Sequence, residues 1–326
     1  MNESVIIKQA HQAIAEARHI AITAHVRPDG DAVGSVLALG QALKNNGKQV
    51  QMVLVDGIPD YLQFLAGTDQ VVTRAREPMD LMIALDCGDA ERIGPALEAV
   101  QTNGTTPVDI NIDHHATNTY FGRINIVDAS AVSTTAILAA YFETLDIQVT
   151  QPIAEALLTG LLTDTLGFRT SNVNPAALRL AADLMDQGAD LPSIYRRGLS
   201  QRSFEAFQYW GAGLSRLQRK NGIIWTSLTE ADREAIGYPI RDDGDLINTL
   251  SNVTDAEIVV IFVEQSASKV KVSWRSRSGN DVSQIASQFG GGGHKAAAGA
   301  TLEGDLLDVE ARVLDATRTA ILSEIK

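Results

Sequence analysis

HIAITAHVRPDGDAVGSVLALGQALKNNG, residues 19–47, holds a strand, a turn and a helix in succession. HIAITAHV is a short apolar run with several β-branched residues and reads as a strand, which Pro28, Asp29 and Gly30 then break. From Asp31 the spacing predicts a helix that ends at Gly47. The strand pattern recurs in VQMVLVD (50–56), LMIALD (81–86) and VDINID (108–113), each run closing on an acidic residue. Apolar strands separated by helical stretches imply a parallel sheet with right-handed crossovers, an α/β domain. In such a sheet the ligand lies beyond the carboxyl ends of the strands.

The polar residues that are hardest to explain fall at that edge. His25, Asp29 and Asp31 lie within seven residues; Asp86 ends LMIALD; His114 stands between Asp113 and His115 in INIDHHATN. Asp164 comes late in the hydrophobic run LLTGLLTDT. Carboxylates and imidazoles are costly beside buried apolar segments unless something pairs them. One cation-holding site where strand ends converge would satisfy all of them. The carboxylates of Asp29 and Asp31, two apart across Gly30, can aim at two adjacent cations, and Gly30 permits a tight turn. Asp86 at a strand end can bridge two ions. The same residues taken singly would also serve as a Pro-Asp-Gly turn with Asp31 as helix cap, as loop histidines, and as a cap at Asp164. Cys87, the one cysteine, reads as a small buried residue and not a nucleophile or soft ligand.

The pattern is helical from Ser130 to Gly188, with a Gly- and Pro-containing connector after it. The expected organisation is a catalytic metal-binding domain over 1–188, a helical connector over 189–212, and a smaller α/β domain over 213–326. In the last, GIIWTSL reads as a strand, EIVVIFVEQ-SAS-KVKVSW as a hairpin, and DLLDVEARVLDATRTAILSEI as a closing amphipathic helix. GGGGHKAAAGA (290–300) lets backbone N–H groups approach an anion, with His294 and Lys295 as added donors. It does not match the nucleotide fingerprints for ATP or NAD. Arg275 and Arg277 share a strand face and suit phosphate, while Trp274 points the other way, into the core.

Composition narrows the partner. The 326 residues are 45% hydrophobic with a formal net charge of −13. A protein gripping long duplex DNA by its phosphates would show a basic balance instead. The expectation is a small anionic substrate held by a few local basic groups. The start reads as an amphipathic helix and not a signal peptide, no apolar run nears the roughly 20 residues that span a bilayer, and one cysteine allows no intrachain disulfide. A cytoplasmic protein without a membrane partner is expected.

H-x-x-P-D-G-D-A-x-G-S (25–35), D-x-G-D (86–89), D-H-H-x-T-N (113–118), T-D-T (163–165) and GGGGHKAAAG occur here in one order. Together they resemble the DHH phosphoesterase family with its DHH-associated C-terminal domain, over nearly the whole chain. Within that family the chain is most similar to the oligoribonuclease and 3′-phosphoadenosine 5′-phosphate (pAp) phosphatase branch. The resemblance implies two divalent cations, Mn²⁺ foremost, with Mg²⁺ or Co²⁺ compatible. His25, Asp29 and Asp86 would hold one; Asp31, Asp86, His114 and Asp164 the other, with Asp86 bridging. His115 would face the phosphate, and Asp113 would orient histidine. Arg275, the Gly291, Gly292 and Gly293 backbone and His294 would surround the substrate across a cleft between domains. The implied reaction is hydrolysis of short single-stranded RNA or DNA and of pAp, by water that two cations activate. Duplex nucleic acid is not expected as a partner, and a homodimer is compatible. A cyclic or linear dinucleotide (pApA, pGpG) phosphodiesterase and an inactive nucleotide-binding regulator are the alternatives. The chain departs from the family pattern after T-D-T, where Leu166 stands in place of Gly and Gly167 follows; Arg169 is kept.

Overall fold

A computed structural model describes residues 3–76, 78–94, 108–277 and 279–324. The two ends of the expected terminal helices, Met1, Asn2 and Ile325, lie outside the described residues. The chain forms two compact units, Met1–Gln201 and Arg202–Lys326.

The first unit runs α1 (Glu3–Glu16), β1 (His19–Thr23), α2 (Gly30–Asn45), β2 (Gln49–Val53), β3 (Val71–Val72), β4 (Leu81–Leu85), β5 (Ile110–Asp113) and β6 (Ile124–Val127). Four helices follow: α3 (Thr134–Thr144), α4 (Gln151–Asp164), α5 (Pro175–Asp186) and α6 (Leu191–Tyr195). The strands form one sheet in the order β3-β2-β1-β4-β5-β6, every pairing parallel. The strand order reverses between β1 and β4, the switch point at which such sheets open a crevice. His25 follows β1 and Asp86 follows β4, so the topology brings these two residues to that point.

The helix α2 is buried all round, from Gly30 through Gly40. It packs closely on α4, and glycine makes the approach possible: a Cβ on Gly34 would stand 2.4 Å from the Ala156 carbonyl oxygen. A Cβ on Gly160 would stand 2.6 Å from Asp31 Oδ1. These two helices therefore meet backbone to backbone at the level of the site.

The second unit contains α7 (Phe204–Ser215), β7 (Gln218–Lys220), β8 (Ile223–Leu228), α8 (Glu230–Ile236), α9 (Leu246–Leu250), β9 (Ile258–Ser266) and β10 (Lys269–Ser276). It closes with α10 (Val282–Ser287), β11 (Gly292–His294), β12 (Ala297–Glu303) and α11 (Leu306–Glu324). Its sheet has the order β11-β12-β10-β9-β8-β7; β8 and β9 are parallel and the other pairs antiparallel. β9 and β10 form the expected hairpin. Alternate residues feed opposite faces: Val260, Phe262, Val272 and Trp274 pack with Val309 and Val313 of α11, while Val259, Ile261 and Val263 pack with Tyr209 and Leu246. Trp274 is fully buried and its indole N–H donates to Thr317 Oγ1 at 3.1 Å, so it is a core residue. The residues after the glycine run, to which no strand was assigned above, form β12, which lies between β10 and β11.

Candidate active site

Beyond the carboxyl ends of β1, β4 and β5 the structure gathers His25, Asp29, Asp31, Asp86, Asp113, His114 and His115, and the C-terminal residue of α4, Asp164, joins them. Three groups of donors have one ligand atom from each residue within 4.8 Å of the others: His25, Asp29 and Asp86; Asp31, His114 and Asp164; and Asp86, His114 and His115. Asp86 faces both sides. Its Oδ2 is 3.5 Å from His25 Nε2, and its Oδ1 is 3.6 Å from His114 Nε2 and 3.7 Å from His115 Nδ1. The backbone at Asp86 is left-handed, φ 53°, a conformation that costs a non-glycine residue on the order of 1 kcal/mol or more.

Local structure aims each group. Asp29, not Asp31, caps α2: its Oδ1 accepts from the N–H groups of Asp31 at 3.0 Å and Ala32 at 3.1 Å. Its Oδ2 is left 3.9 Å from His25 Nε2. The cap expected of Asp31 therefore shifts two residues back, and Asp31 sits inside the helix, 1% exposed. Gly30 is needed for packing, since a Cβ there would meet the Thr163 side chain at 2.2 Å. A carbonyl can only accept, so the 2.9 Å contact between His25 Nδ1 and the Val26 oxygen places a proton on Nδ1 and leaves Nε2 to face Asp86 and Asp29. His114 Nδ1 lies 3.4 Å from the Ala131 oxygen, which favours the same arrangement, and its Nε2 is 3.5 Å from Asp164 Oδ2. Asp113 Oδ1 is 2.7 Å from His115 Nδ1, and Asn118 donates to Asp113 Oδ2 at 2.6 Å.

Sequence reasoning included Asn118 in the D-H-H-x-T-N motif without giving it a role, and did not single out Thr134 or Thr135. The start of α3 receives Asp31: Thr134 N–H donates to Oδ2 at 2.6 Å, and Thr135 donates to Oδ1 from N–H at 3.0 Å and from Oγ1 at 2.7 Å. Thr134 Oγ1 donates to Asp86 Oδ1 at 3.0 Å. The hydroxyl run Ser133-Thr134-Thr135 opening a helix was the available signal.

The protein's own charges leave the cluster out of balance. Burial and the nearby Asp31, Asp86 and Asp29 carboxylates push Asp164 up to about 9. Burial, with Asp86 next, pushes Asp31 up to about 7. For His25 burial opposes the charge, but Asp86 and Asp29 outweigh it and raise the ring to about 9. Burial also works against Asp86, yet the three histidines hold it well below the usual carboxylate range. Imidazole nitrogens and hard carboxylate oxygens around excess negative charge are the donor set of a divalent cation. Cys87 is unsuited to either nucleophilic or ligand chemistry: burial pushes its thiol up to about 12, and it donates to the Asp89 carbonyl at 3.0 Å.

The other expected residues belong to the second unit. Arg275 on β10 is half-buried; its Nε donates to Asn248 Oδ1 at 3.2 Å and its Nη1 to the Trp274 carbonyl at 3.0 Å. Burial pulls the guanidinium pKa down, and the charges of Asp243, Asp245 and Asp242 oppose this. Gly292 to His294 form the exposed strand β11, paired with Gly299, Ala298 and Ala297 of β12, instead of a nest of converging N–H groups. Two of the three glycines have packing reasons. A Cβ on Gly291 would stand 2.2 Å from the Gly299 carbonyl oxygen; on Gly293, at φ 142°, it would stand 2.5 Å from that of Ala297. A Cβ on Gly292 would meet nothing within 4 Å among the described residues beyond its chain neighbours.

This fold and motif set define a class, and the chain belongs to the DHH phosphoesterase family. The model of the DHH family N-terminal domain matches residues 19–161, and that of the DHHA1 domain matches residues 241–323. Among particular proteins, the chain is 37% identical to the bifunctional oligoribonuclease and PAP phosphatase NrnA of Thermus thermophilus, over 92% of this chain and 89% of that one. It is 28% identical to the protein of the same name from Mycoplasma genitalium, over 91% and 92% of the two chains. A crystal structure of an exopolyphosphatase-related protein from Bacteroides fragilis superposes with a TM-score of 0.87 at 25% identity, covering 98% of this chain and 96% of that one.

Proposed function

We propose that this protein is a phosphoesterase dependent on two divalent cations. Its proposed reactions convert short single-stranded oligonucleotides to mononucleotides and pAp to AMP. The observation that carries the reading is Asp86, whose two oxygens face two different donor groups. The substrates are those in the names of the Thermus and Mycoplasma relatives, which this chain matches along most of its length.

His25, Asp29 and Asp86 would hold one cation; Asp31, Asp86, His114 and Asp164 the other. Mn²⁺ suits mixed imidazole and carboxylate donors better than Mg²⁺. When bound, such cations lower the pKa of the attacking water and neutralise charge on the phosphoryl oxygens. The chain's own residues do the rest. Asp113, steadied by Asn118, fixes the ring orientation of His115, and His115 would address the phosphate. No side-chain nucleophile is required. Arg275, Gly291 to Gly293 and His294 would contact the nucleotide portion of the substrate.

The test is a panel of pAp, a five-nucleotide RNA, a matched duplex, pGpG, pApA and a cyclic dinucleotide, assayed with Mn²⁺ and with EDTA. We expect hydrolysis of pAp and the short RNA with Mn²⁺, little of the duplex, and none of any substrate in EDTA. Full activity in chelator with metal confirmed absent, or no turnover of pAp and short RNA, would overturn the reading. Cyclic or linear dinucleotides ranking first by kcat/KM would reassign the substrate.

A further inference from the structure

Thr134 touches two of the proposed cation ligands from one position. Its backbone N–H donates to Asp31 Oδ2 at 2.6 Å, and its hydroxyl donates to Asp86 Oδ1 at 3.0 Å. It is fully buried, so water does not compete for either bond. The neighbouring bonds reinforce the arrangement. Ser133 caps α3 by accepting from the Ala136 N–H at 3.0 Å, and its hydroxyl lies 2.8 Å from that of Thr135. Thr135 in turn holds Asp31 Oδ1. The start of α3 is thereby fixed against both carboxylates.

The consequence lies in the orientation of Asp86. A carboxylate that faces two donor groups must keep its plane fixed, or both oxygens turn toward one side. On the Oδ2 side, His25 Nε2 stands at 3.5 Å, and on the Oδ1 side His114 and His115 stand at 3.6 and 3.7 Å. Those histidine contacts change when a cation takes the ring nitrogens. The Thr134 hydroxyl uses no ring nitrogen and would still donate to Oδ1 with a cation bound.

Resting on the two-cation reading above, we propose that Thr134 is a positioning residue that holds the Asp86 carboxylate across the two cation positions. It ties the Oδ1 side to the Asp31, His114 and Asp164 group. Loss of its hydroxyl should weaken the cation on that side selectively. The cation held by His25 and Asp29 should be spared, because the hydrogen bonds of Thr134 go to Asp31 and Asp86 and to neither of those residues.

Thr134→Val keeps the shape and the backbone N–H to Asp31 and removes only the hydroxyl. Mn²⁺ binding to the full chain, followed by the electron paramagnetic resonance of free Mn²⁺, should give two equivalents for the unaltered protein. In Thr134→Val one equivalent should stay within about threefold of its original affinity and the other should lose roughly 10- to 100-fold, the usual effect of removing a ligand's hydrogen-bonding partner. The fall in kcat on pAp should match, with KM little changed, and Thr134→Ser should restore both. If Thr134→Val does not fold, Thr134→Ala compared with Thr134→Ser makes the same comparison. Unchanged affinity of both equivalents in the Val (or Ala) variant, an equal loss from both, or a Ser variant no better than it, overturns the assignment. An unaltered protein that binds no second cation overturns the two-cation reading itself, which is a separate outcome.

Discussion

Among the proposed cation ligands, Asp164 is the carboxylate whose surroundings oppose its charge most, and Asp31 follows. An acid whose folded-state pKa is raised binds protons more tightly when folded, so raising the pH removes stability. The window opens at the ordinary carboxylate value near 4 and closes at about 7 for Asp31 and about 9 for Asp164. His25 acts in the same direction: its contribution is complete below 6.5 and is lost as the pH rises through about 9. Asp86 runs the other way, since its depressed pKa gives stability present above about 4 and lost only in strong acid. The metal-free protein should therefore lose several degrees of melting temperature between about pH 5 and about pH 9. Saturating Mn²⁺ should remove most of that fall, because cation binding displaces the same protons. Scanning fluorimetry with and without EDTA checks this; a flat or rising metal-free profile would contradict the charge imbalance described here. These residues were legible in the sequence because carboxylates and histidines directly after buried apolar runs have few structural uses. Thr134 and the role of Asn118 were not, since hydroxyls at helix starts and asparagines in loops usually serve the backbone alone.

The contact between α2 and α4 sets the distance between Asp31 and Asp164, and it depends on glycine. At Gly34 a methyl group would meet the carbonyl oxygen of Ala156 at 2.4 Å, and backbone cannot step aside. At Gly40, also in α2, it would meet the Met52 sulfur at 2.4 Å, the flexible part of a side chain that can turn away. Gly34→Ala should cost about 1–3 kcal/mol as an overpacking change and weaken Mn²⁺ binding. Gly40→Ala should cost under about 1 kcal/mol and leave binding intact, helped by the better helix propensity of Ala. Melting temperatures with and without Mn²⁺ decide it; equal effects at the two positions would mean that helix spacing does not govern the site. The sequence contained the helix pattern but not this dependence: Gly30 was read as a turn residue, and its contact with Thr163 arises only when distant segments pack. The parallel sheet was legible for the same reason the helices were, because its runs are long and apolar. β12 was not, because Ala297, Ala298 and Gly299 carry no strand preference, and pairing with β10 and β11 overrides that.

At the scale of the whole molecule, the proposed cation ligands all belong to Met1–Gln201 and the proposed substrate contacts all belong to Arg202–Lys326. Binding energy from the non-reacting part of a substrate can lower the barrier at the reacting bond. Substitutions in the second unit should then spare a small generic ester and impair a nucleotide. Arg275→Ala tests this imperfectly, because Arg275 also bonds Asn248 and balances Asp243 and Asp245. Gly292 is the cleaner probe. Among the described residues, its chain neighbours aside, nothing lies within 4 Å of where its Cβ would be, whereas Gly291 and Gly293 are each blocked by backbone. A side chain at Gly292 should cost the fold little and matter only if something outside the protein approaches β11. Gly292→Val should thus keep the melting temperature and Mn²⁺ affinity, and hydrolyse bis-(p-nitrophenyl) phosphate at the original rate. Its kcat/KM on pAp and dinucleotides should fall roughly tenfold or more. Arg275→Ala should fall by one to two orders of magnitude on the same substrates, as loss of a charge-assisted contact of about 1.5–3 kcal/mol requires. Gly293→Ala should instead lower the melting temperature, because its φ and its Ala297 neighbour both reject a side chain. If Gly292→Val remains fully folded and fully active on pAp, β11 does not contact the nucleotide. If it falls equally on both substrates, the second unit supports the site in some way other than binding, and the division of labour must be abandoned.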